Sequence, residues 1–225
     1  MSMDQQSATK TIKQDFFKKI SEVKLYVIIS SNLAKKTILE TLQDVIQGGA
    51  DAIQLREKMM SDNEFFALAK EFKKITSGAK TIFIVNDRAE IAKKVDADGL
   101  HIGQSDISVR NARRIIGYNK ILGVSTHTIA QARRAQREGA DYIGVGPIFY
   151  TETKSHEPPV GLDYLKQVKK EITIPFVAIG AITLENLNEV LNAGGSRIAV
   201  CSVIIGSDNI IQATRSFKAQ FTVKQ

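Results

Sequence analysis

The sequence contains no tryptophan and a single cysteine among its 225 residues. Because a disulfide framework needs paired cysteines, Cys201 excludes one, and a reducing compartment is the simpler expectation. No apolar run approaches the roughly 20 residues that a membrane-spanning helix needs, and no basic segment followed by an apolar stretch opens the chain. We therefore expect a cytoplasmic protein that makes no membrane contact.

Aromatic residues are also few for a chain of this charge. The formal net charge is +7 at pH 7, yet aromatic residues make up only 7% of the sequence. Nucleic-acid binders combine basic residues that contact phosphates with aromatic side chains on which bases stack. Here the basic excess lies at helical positions with no aromatic residues between them: Arg113, Arg114, Arg133, Arg134 and Arg137. The pattern favours a solvated helix surface and no nucleic-acid partner.

Short apolar runs alternate with segments in which apolar residues have helical spacing. This alternation is typical of βαβ units with a parallel sheet, and a chain of 225 residues is long enough to bury the core of such a domain. The eight predicted strands cover residues 25–30, 52–55, 82–85, 99–102, 121–124, 142–145, 176–179 and 197–200.

A short motif recurs before every second strand. Its copies begin at Gly49, Asp96, Gly139 and Gly194, and the first reads Gly-Ala-Asp-Ala-Ile. Repeats of this kind are expected of a closed (β/α)8 TIM barrel, and glycine at a helix end supplies a left-handed cap. A doubly wound open sheet is the alternative, but it gives no reason for an even-strand repeat.

The sequence predicts a single α/β domain, a (β/α)8 barrel over residues 24–225. Residues 1–23 form an N-terminal extension, in which apolar spacing over residues 9–20 predicts an extra helix below the barrel. The connection that follows the sixth strand is unusually long, from about residue 147 to residue 161. A connection of this length is often a lid or a binding loop.

Polar residues follow most of the predicted strands, and the C-terminal ends of the strands form the active-site face of a TIM barrel. Asp87 and Asp106 follow neighbouring strands, whose axes lie about 5 Å apart. We expect both carboxylates to bind one Mg²⁺, which takes few protein ligands and completes its shell with water and phosphate oxygens. A helix N-cap role for Asp106 and a turn role for Asp87 are the alternatives.

Three cations share this predicted rim: Arg56, Lys58 and Lys154. Beside a metal they suit a diphosphate, with a surface cluster of salt bridges as the alternative. Gly180 and Ser202 end the seventh and eighth strands, where barrels often bind a phosphate through backbone N–H groups; plain turn roles are the alternative. These positions predict a site for a pyrophosphate substrate and a second phosphorylated substrate.

Motifs of several other enzyme classes are absent. The chain has no G-x-S-x-G elbow, no C-x-x-C and no Walker A sequence. Its three histidines lie in unrelated segments and do not form a zinc cluster. Ser125 with His127 lacks the third orienting group that a nucleophile and its base require.

Six motifs in order resemble the thiamine phosphate synthase family. They lie at residues 54–58 (Gln-Leu-Arg-Glu-Lys), 84–88, 99–106, 123–127, 144–154 and 178–180. The resemblance implies an enzyme, a transferase that condenses a hydroxymethylpyrimidine diphosphate with thiazole phosphate to give thiamine phosphate and pyrophosphate. It also implies a dissociative mechanism through a pyrimidine cation, Mg²⁺ as cofactor, and a homodimer.

Each site residue receives a role from this resemblance. The pyrimidine diphosphate would contact Gln54, Leu55, Arg56, Glu57, Lys58, Asn86 and Ser125. The thiazole phosphate would contact Thr151, Thr153, Gly180, Cys201 and Ser202. Lys154 would bind the pyrophosphate, and Glu152 would be a further substrate-binding residue. Asp87 and Asp106 would bind the metal, and the catalytic set would be Arg56, Lys58, Ser125 and Lys154.

The chain departs from the family pattern at a few positions. Ala181 stands where the family commonly has a second glycine, and Tyr150 stands where it often has proline. Two other activities are alternatives to synthesis. A related thiazole tautomerase would need neither the metal pair nor the diphosphate cations, and a non-catalytic binder of phosphorylated precursors would release no pyrophosphate.

Overall fold

The computed structural model describes residues 18–151 and 158–221. Eight parallel strands close into a barrel in chain order, and β8 pairs with β1. The strands are β1 (Leu25–Ile29), β2 (Ala52–Leu55), β3 (Ile82–Asn86), β4 (Gly99–Ile102), β5 (Ile121–Thr126), β6 (Tyr142–Val145), β7 (Phe176–Ile179) and β8 (Ile198–Val200). The prediction of a TIM barrel is confirmed, and each strand lies within two residues of its predicted bounds.

Helices connect the strands on the outside of the barrel. They are α1 (residues 18–22), α2 (Ile38–Gln47), α3 (Asp62–Ser77), α4 (Ala89–Lys94), α5 (Val109–Ile116), α6 (Ile129–Glu138), α7 (Gly161–Glu171), α8 (Leu187–Asn192), α9 (Ser202–Ile205) and α10 (Ile210–Ala219). A 3₁₀ turn (Ser31–Leu33) precedes α2. None of the helices in the described ranges is both long and apolar enough to cross a membrane.

Alternation along the strands separates two cores. Residues that point outward from the sheet, such as Leu55 and Val85, pack against the helices in the larger core. Residues that point inward, such as Tyr26, Ile84 and Tyr142, fill the barrel itself. Successive side chains of a strand face opposite sides, so the last inward residue of each strand lies at one end of the barrel interior. We call this end, at the C-terminal ends of the strands, the mouth of the barrel.

The recurring turn adopts a left-handed conformation in all four copies. The φ angles are 92° at Gly49, 55° at Asp96, 95° at Gly139 and 104° at Gly194. The next N–H closes each helix by donating to a carbonyl five residues back, as Ala50 N donates to Val45 O at 3.3 Å. The repeat therefore marks the ends of the helices before β2, β4, β6 and β8, as the sequence predicted.

The aspartate of the motif accepts hydrogen bonds from backbone N–H groups at the bottom of the barrel, where the strands begin. Asp141 Oδ2 accepts the Leu122 N–H at 2.8 Å and pairs with Arg113 at 2.7 Å. Asp51 accepts the N–H of Leu25, the first residue of β1, and Asp98 accepts the N–H of Phe83, the second residue of β3. The fourth copy has serine at this position, and its neighbour Arg197 instead donates to Ser21 O.

The segment before β1 closes the bottom of the barrel. Ile20 and Val23 are 0% and 1% exposed and belong to the interior cluster. Residues 18–22 are helical. Most of the helix predicted over residues 9–20 lies outside the described residues.

Candidate active site

The structure brings Asp87 and Asp106 together at the barrel mouth. Asp87 follows β3 with a φ of 61°, and its N–H donates to His101 O at 2.8 Å. Asp106 lies in the β4–α5 loop and accepts the Gly103 N–H at 2.6 Å. The two carboxyl groups are hydrogen-bonded to each other. The N-cap of α5 is Ser108, whose Oγ accepts from Asn111 N, so the N-cap alternative for Asp106 is wrong.

The two carboxyl groups shift each other's pKa in opposite directions. Burial raises the pKa of Asp87, and the hydrogen bond to Asp106 raises it further, against the opposing effect of Lys58. Burial also acts to raise the pKa of Asp106, but the bonds from Asp87 and Gly103 N–H outweigh it and lower the value. Two carboxyls at this distance repel each other when both are ionised, and a divalent cation removes that repulsion.

The chemistry of these donors fits Mg²⁺. The pair provides hard oxygen ligands from two strands, and Mg²⁺ commonly takes one or two carboxylates. Within residues 18–151 and 158–221, no three His, Cys, Asp or Glu side chains group closely enough to hold a metal. A Mg²⁺ ion held by this pair would take its other ligands from water and substrate oxygens.

Two of the three predicted cations lie in the described residues. Lys58 forms an ion pair with Asp87 while its side chain stays 51% exposed. Arg56 is half-buried directly after β2, and its positive charge acts to lower the pKa of the Cys201 thiol. Burial dominates at that thiol and raises the pKa of Cys201 to about 11. Lys154, Glu152 and Thr153 lie outside the described residues, and Thr151 is half-buried beside that gap.

Two residues predicted to contact the pyrimidine diphosphate, Leu55 and Glu57, have side chains that are engaged outside the mouth. Leu55 is 0% exposed and packs in the outer core, because it alternates with the inward residues Gln54 and Arg56. The Leu55 side chain therefore does not face the mouth, and a contact with substrate is left to the Leu55 backbone. The carboxylate of Glu57 accepts Ser31 N at 2.5 Å and Ser31 Oγ at 3.0 Å, so it anchors the 3₁₀ turn after β1. Asn86, at the end of β3, is buried at the mouth.

The loops after β7 and β8 form the opposite side of the mouth. Gly180 has a φ of 115°, and a Cβ there would lie 2.5 Å from Pro147 Cα, so only glycine fits. Ala181 also has a positive φ of 46°. Cys201 precedes the short helix α9, which begins at Ser202 directly after β8. TIM barrels frequently bind phosphate at this combination of loops and a short extra helix.

A hydrogen-bonded network inside the barrel was missed by the sequence reasoning. Gln54 Nε2 donates to the Tyr26 hydroxyl at 2.9 Å, and the two tyrosine hydroxyls lie 3.1 Å apart. The Tyr142 hydroxyl lies 2.9 Å from His101 Nδ1, and His101 Nε2 lies 2.9 Å from Ser125 Oγ. We call these five residues the interior relay. His127 takes no part in it, since its Nδ1 bonds to Gly146 O.

Glycines at inward positions of the strands are the feature of the sequence that could have indicated this network. Gly99, Gly123 and Gly144 occupy inward positions of β4, β5 and β6. A Cβ at Gly123 would collide with the Tyr142 ring, and one at Gly144 would lie 3.4 Å from His101 Cε1. Glycine within a strand often marks a close approach of other groups, and here it makes room for the relay.

The comparisons with known proteins agree on one family. A family model described as thiamine monophosphate synthase matches residues 25–204. The thiamine-phosphate synthase of Alkaliphilus oremlandii is 43% identical over 196 residues, which cover 87% of this chain and 94% of that protein. The thiamine-phosphate synthase of Chloroflexus aurantiacus is 42% identical over 208 residues, which cover 92% of this chain and 96% of that protein.

One solved structure gives the same result. The thiamine phosphate pyrophosphorylase from Pyrococcus furiosus superposes with a TM-score of 0.83 at 34% identity, covering 90% of this chain and 97% of that one. A 3-hexulose-6-phosphate synthase gives a TM-score of 0.69 at 20% identity, covering 87% of this chain and 98% of that one. The second likeness concerns the barrel fold alone.

Proposed function

Since the chain belongs to the thiamine monophosphate synthase family, we propose how its barrel mouth carries out the family reaction. The enzyme condenses the pyrimidine diphosphate with thiazole phosphate to give thiamine phosphate and pyrophosphate. The observation that supports a site for this reaction is the carboxylate pair Asp87 and Asp106, which lies beside the cation of Lys58. This arrangement suits a metal-bound diphosphate.

The diphosphate lies on the side of the mouth formed by β2, β3 and β4. Asp87 and Asp106 would hold Mg²⁺, which would neutralise the negative charge that grows on the leaving pyrophosphate. Lys58 leaves its ion pair with Asp87 and binds the diphosphate, together with Arg56 and Lys154. Fixed cations in a site closed from water stabilise a leaving anion more strongly than solvent does.

The pyrimidine ring lies deeper in the mouth, between Gln54 and Ser125. As the bond from the methylene carbon to oxygen breaks, positive charge spreads into the aminopyrimidine ring. The thiazole nitrogen then attacks the methylene carbon. This chemistry needs no strong protein base, and it depends on positioning of the two reactants and on exclusion of competing water.

The thiazole phosphate binds at the opposite side of the mouth. Backbone N–H groups near Gly180 and at the start of α9 receive its phosphate, with Ser202 and Thr151 beside it. Helix N-termini and glycine turns present such donors without a charged side chain. The placement sets the two substrates face to face across the barrel.

The two alternative activities are not favoured. The relatives are named as synthases, and a tautomerase has no use for a paired metal site beside diphosphate cations. The resemblance implies a homodimer, and the sequence predicts a cytoplasmic location. Light scattering during size-exclusion chromatography measures the first of these properties.

Pyrophosphate release by the purified protein tests the proposed function. We expect release to require both substrates and Mg²⁺, and Asp106→Asn to lower turnover by about 100-fold or more. The matched control is Asp163→Asn on α7, because the Asp163 side chain is 96% exposed and pairs only with Lys166 among the described residues. Release without Mg²⁺, or full activity of Asp106→Asn, would contradict the metal assignment.

A further inference from the structure

The interior relay joins the two side chains that face the pyrimidine. At one end, Gln54 is 3% exposed and donates its amide N–H to Tyr26. The amide oxygen of Gln54 has no hydrogen-bond partner within residues 18–151 and 158–221. At the other end, Ser125 is the last inward residue of β5 and is half-buried at the mouth. Both ends therefore present a polar atom to the substrate.

Requiring an acceptor for every buried hydroxyl proton gives the relay one direction. The amide nitrogen of Gln54 can only donate, so the Tyr26 oxygen accepts there and its own proton goes to Tyr142. The Tyr142 proton then goes to His101 Nδ1. A neutral imidazole whose Nδ1 accepts carries its proton on Nε2, and that proton goes to Ser125 Oγ. Burial raises the pKa of both tyrosines, so each phenol keeps the proton that it donates.

The direction of the relay determines which hydrogen-bond donors and acceptors the mouth presents to a ligand. Because Ser125 Oγ accepts from His101, its own hydroxyl proton remains available for an acceptor in the mouth. Because the Gln54 nitrogen donates to Tyr26, its oxygen remains available for a donor. The mouth therefore presents one acceptor on β2 and one donor on β5.

We propose that Tyr26, Tyr142 and His101 are positioning residues that fix this donor and acceptor pattern and thereby select a 4-aminopyrimidine. This inference rests on the proposed function. The amino group of such a ring donates to the Gln54 oxygen, and a ring nitrogen accepts from the Ser125 hydroxyl. A 4-oxo analogue places a carbonyl oxygen against the Gln54 oxygen. A site built for one pattern of hydrogen bonds strongly rejects a ligand that leaves its polar groups unpaired.

Nitrogen NMR of the histidine ring tests the direction without any substitution in the relay. In protein labelled with ¹⁵N-histidine, we expect His101 to carry its proton on Nε2, with Nδ1 at the shift of an acceptor. Variants His127→Gln and His156→Gln assign the resonances. A His101 ring protonated on Nδ1 would overturn the proposal, because the relay would then run in the opposite direction.

Tyr142→Phe tests the function of the relay, since it removes one hydroxyl and keeps the ring that packs over Gly123. We expect KM for the pyrimidine diphosphate to rise between about twofold and tenfold, the effect of one lost hydrogen bond. KM for thiazole phosphate stays unchanged, and discrimination against the 4-oxo diphosphate falls. The matched control is Tyr164→Phe, whose hydroxyl bonds to Thr126 and Thr128 outside the relay.

A double substitution separates positioning from a general loss of packing. If Tyr142 acts through Ser125, adding Tyr142→Phe to Ser125→Ala changes KM for the pyrimidine diphosphate no further. Multiplied effects, or equal changes in both KM values, would overturn the proposal. Tyr26→Phe offers the same comparison if Tyr142→Phe does not fold. Failure of the wild-type protein to release pyrophosphate would instead contradict the proposed function, whatever the histidine tautomer.

Discussion

Replacing Ala181 with glycine is expected to stabilise the protein. Ala181 has a φ of 46°, a conformation in which the Cβ of an L-residue approaches its own carbonyl oxygen. The cost of this conformation is about 1–2 kcal/mol. Glycine removes that cost but loses about 0.5–1 kcal/mol through the greater freedom of the unfolded chain. The expected gain in the free energy of unfolding is therefore about 0.5–1 kcal/mol.

Thermal and urea unfolding measure this gain. For a chain of this size, it corresponds to a rise in Tm of about 1–4 °C. The control is Ala34→Gly, because Ala34 is half-buried with a φ of −83° and should lose about 0.5–1 kcal/mol. A lower Tm for Ala181→Gly, or the same change for both variants, would refute the argument from backbone strain.

The same substitution separates stability from binding. The Ala181 carbonyl accepts from Asn186 Nδ2 at 2.9 Å, and glycine keeps this backbone contact. We therefore expect KM for thiazole phosphate to change by less than about twofold, below the effect of one hydrogen bond. A large fall in KM would show that the methyl group crowds the phosphate loop.

Three further predictions concern single side chains. Arg113→Ala should lower the free energy of unfolding by about 3–5 kcal/mol in urea titrations, whereas the exposed neighbour variant Arg114→Ala should cost under about 0.5 kcal/mol. Glu57→Ala should cost about 1–3 kcal/mol by removing the acceptor of Ser31, with a smaller loss of turnover than Asp106→Asn. Cys201, with a pKa of about 11, should react with iodoacetamide at pH 8 more than about tenfold slower than free cysteine. Its raised pKa stabilises the fold below about pH 9, and this contribution should be lost as pH rises toward 11.

The local pattern of the sequence determined the fold. Each strand is a short apolar run between helical segments, and four of the helices end at a turn that needs a left-handed residue. These are properties of neighbouring residues, so they can be read without knowing which elements meet. The order of polar residues after the strands also predicted that Asp87 and Asp106 would meet, because parallel strands of a barrel end on one face.

Only the tertiary structure decided which hydrogen-bond partners the side chains at the mouth and in the barrel interior have. Glu57 lies within the same motif as Arg56 and Lys58, yet its carboxylate is taken by Ser31 from the loop after β1. Tyr26 and Tyr142 look like ordinary core aromatics in the sequence, since nothing near either of them reveals the partner of its hydroxyl. Closure of the barrel brings residues 116 positions apart within hydrogen-bonding distance, and the donor and acceptor pattern of the site depends on that closure.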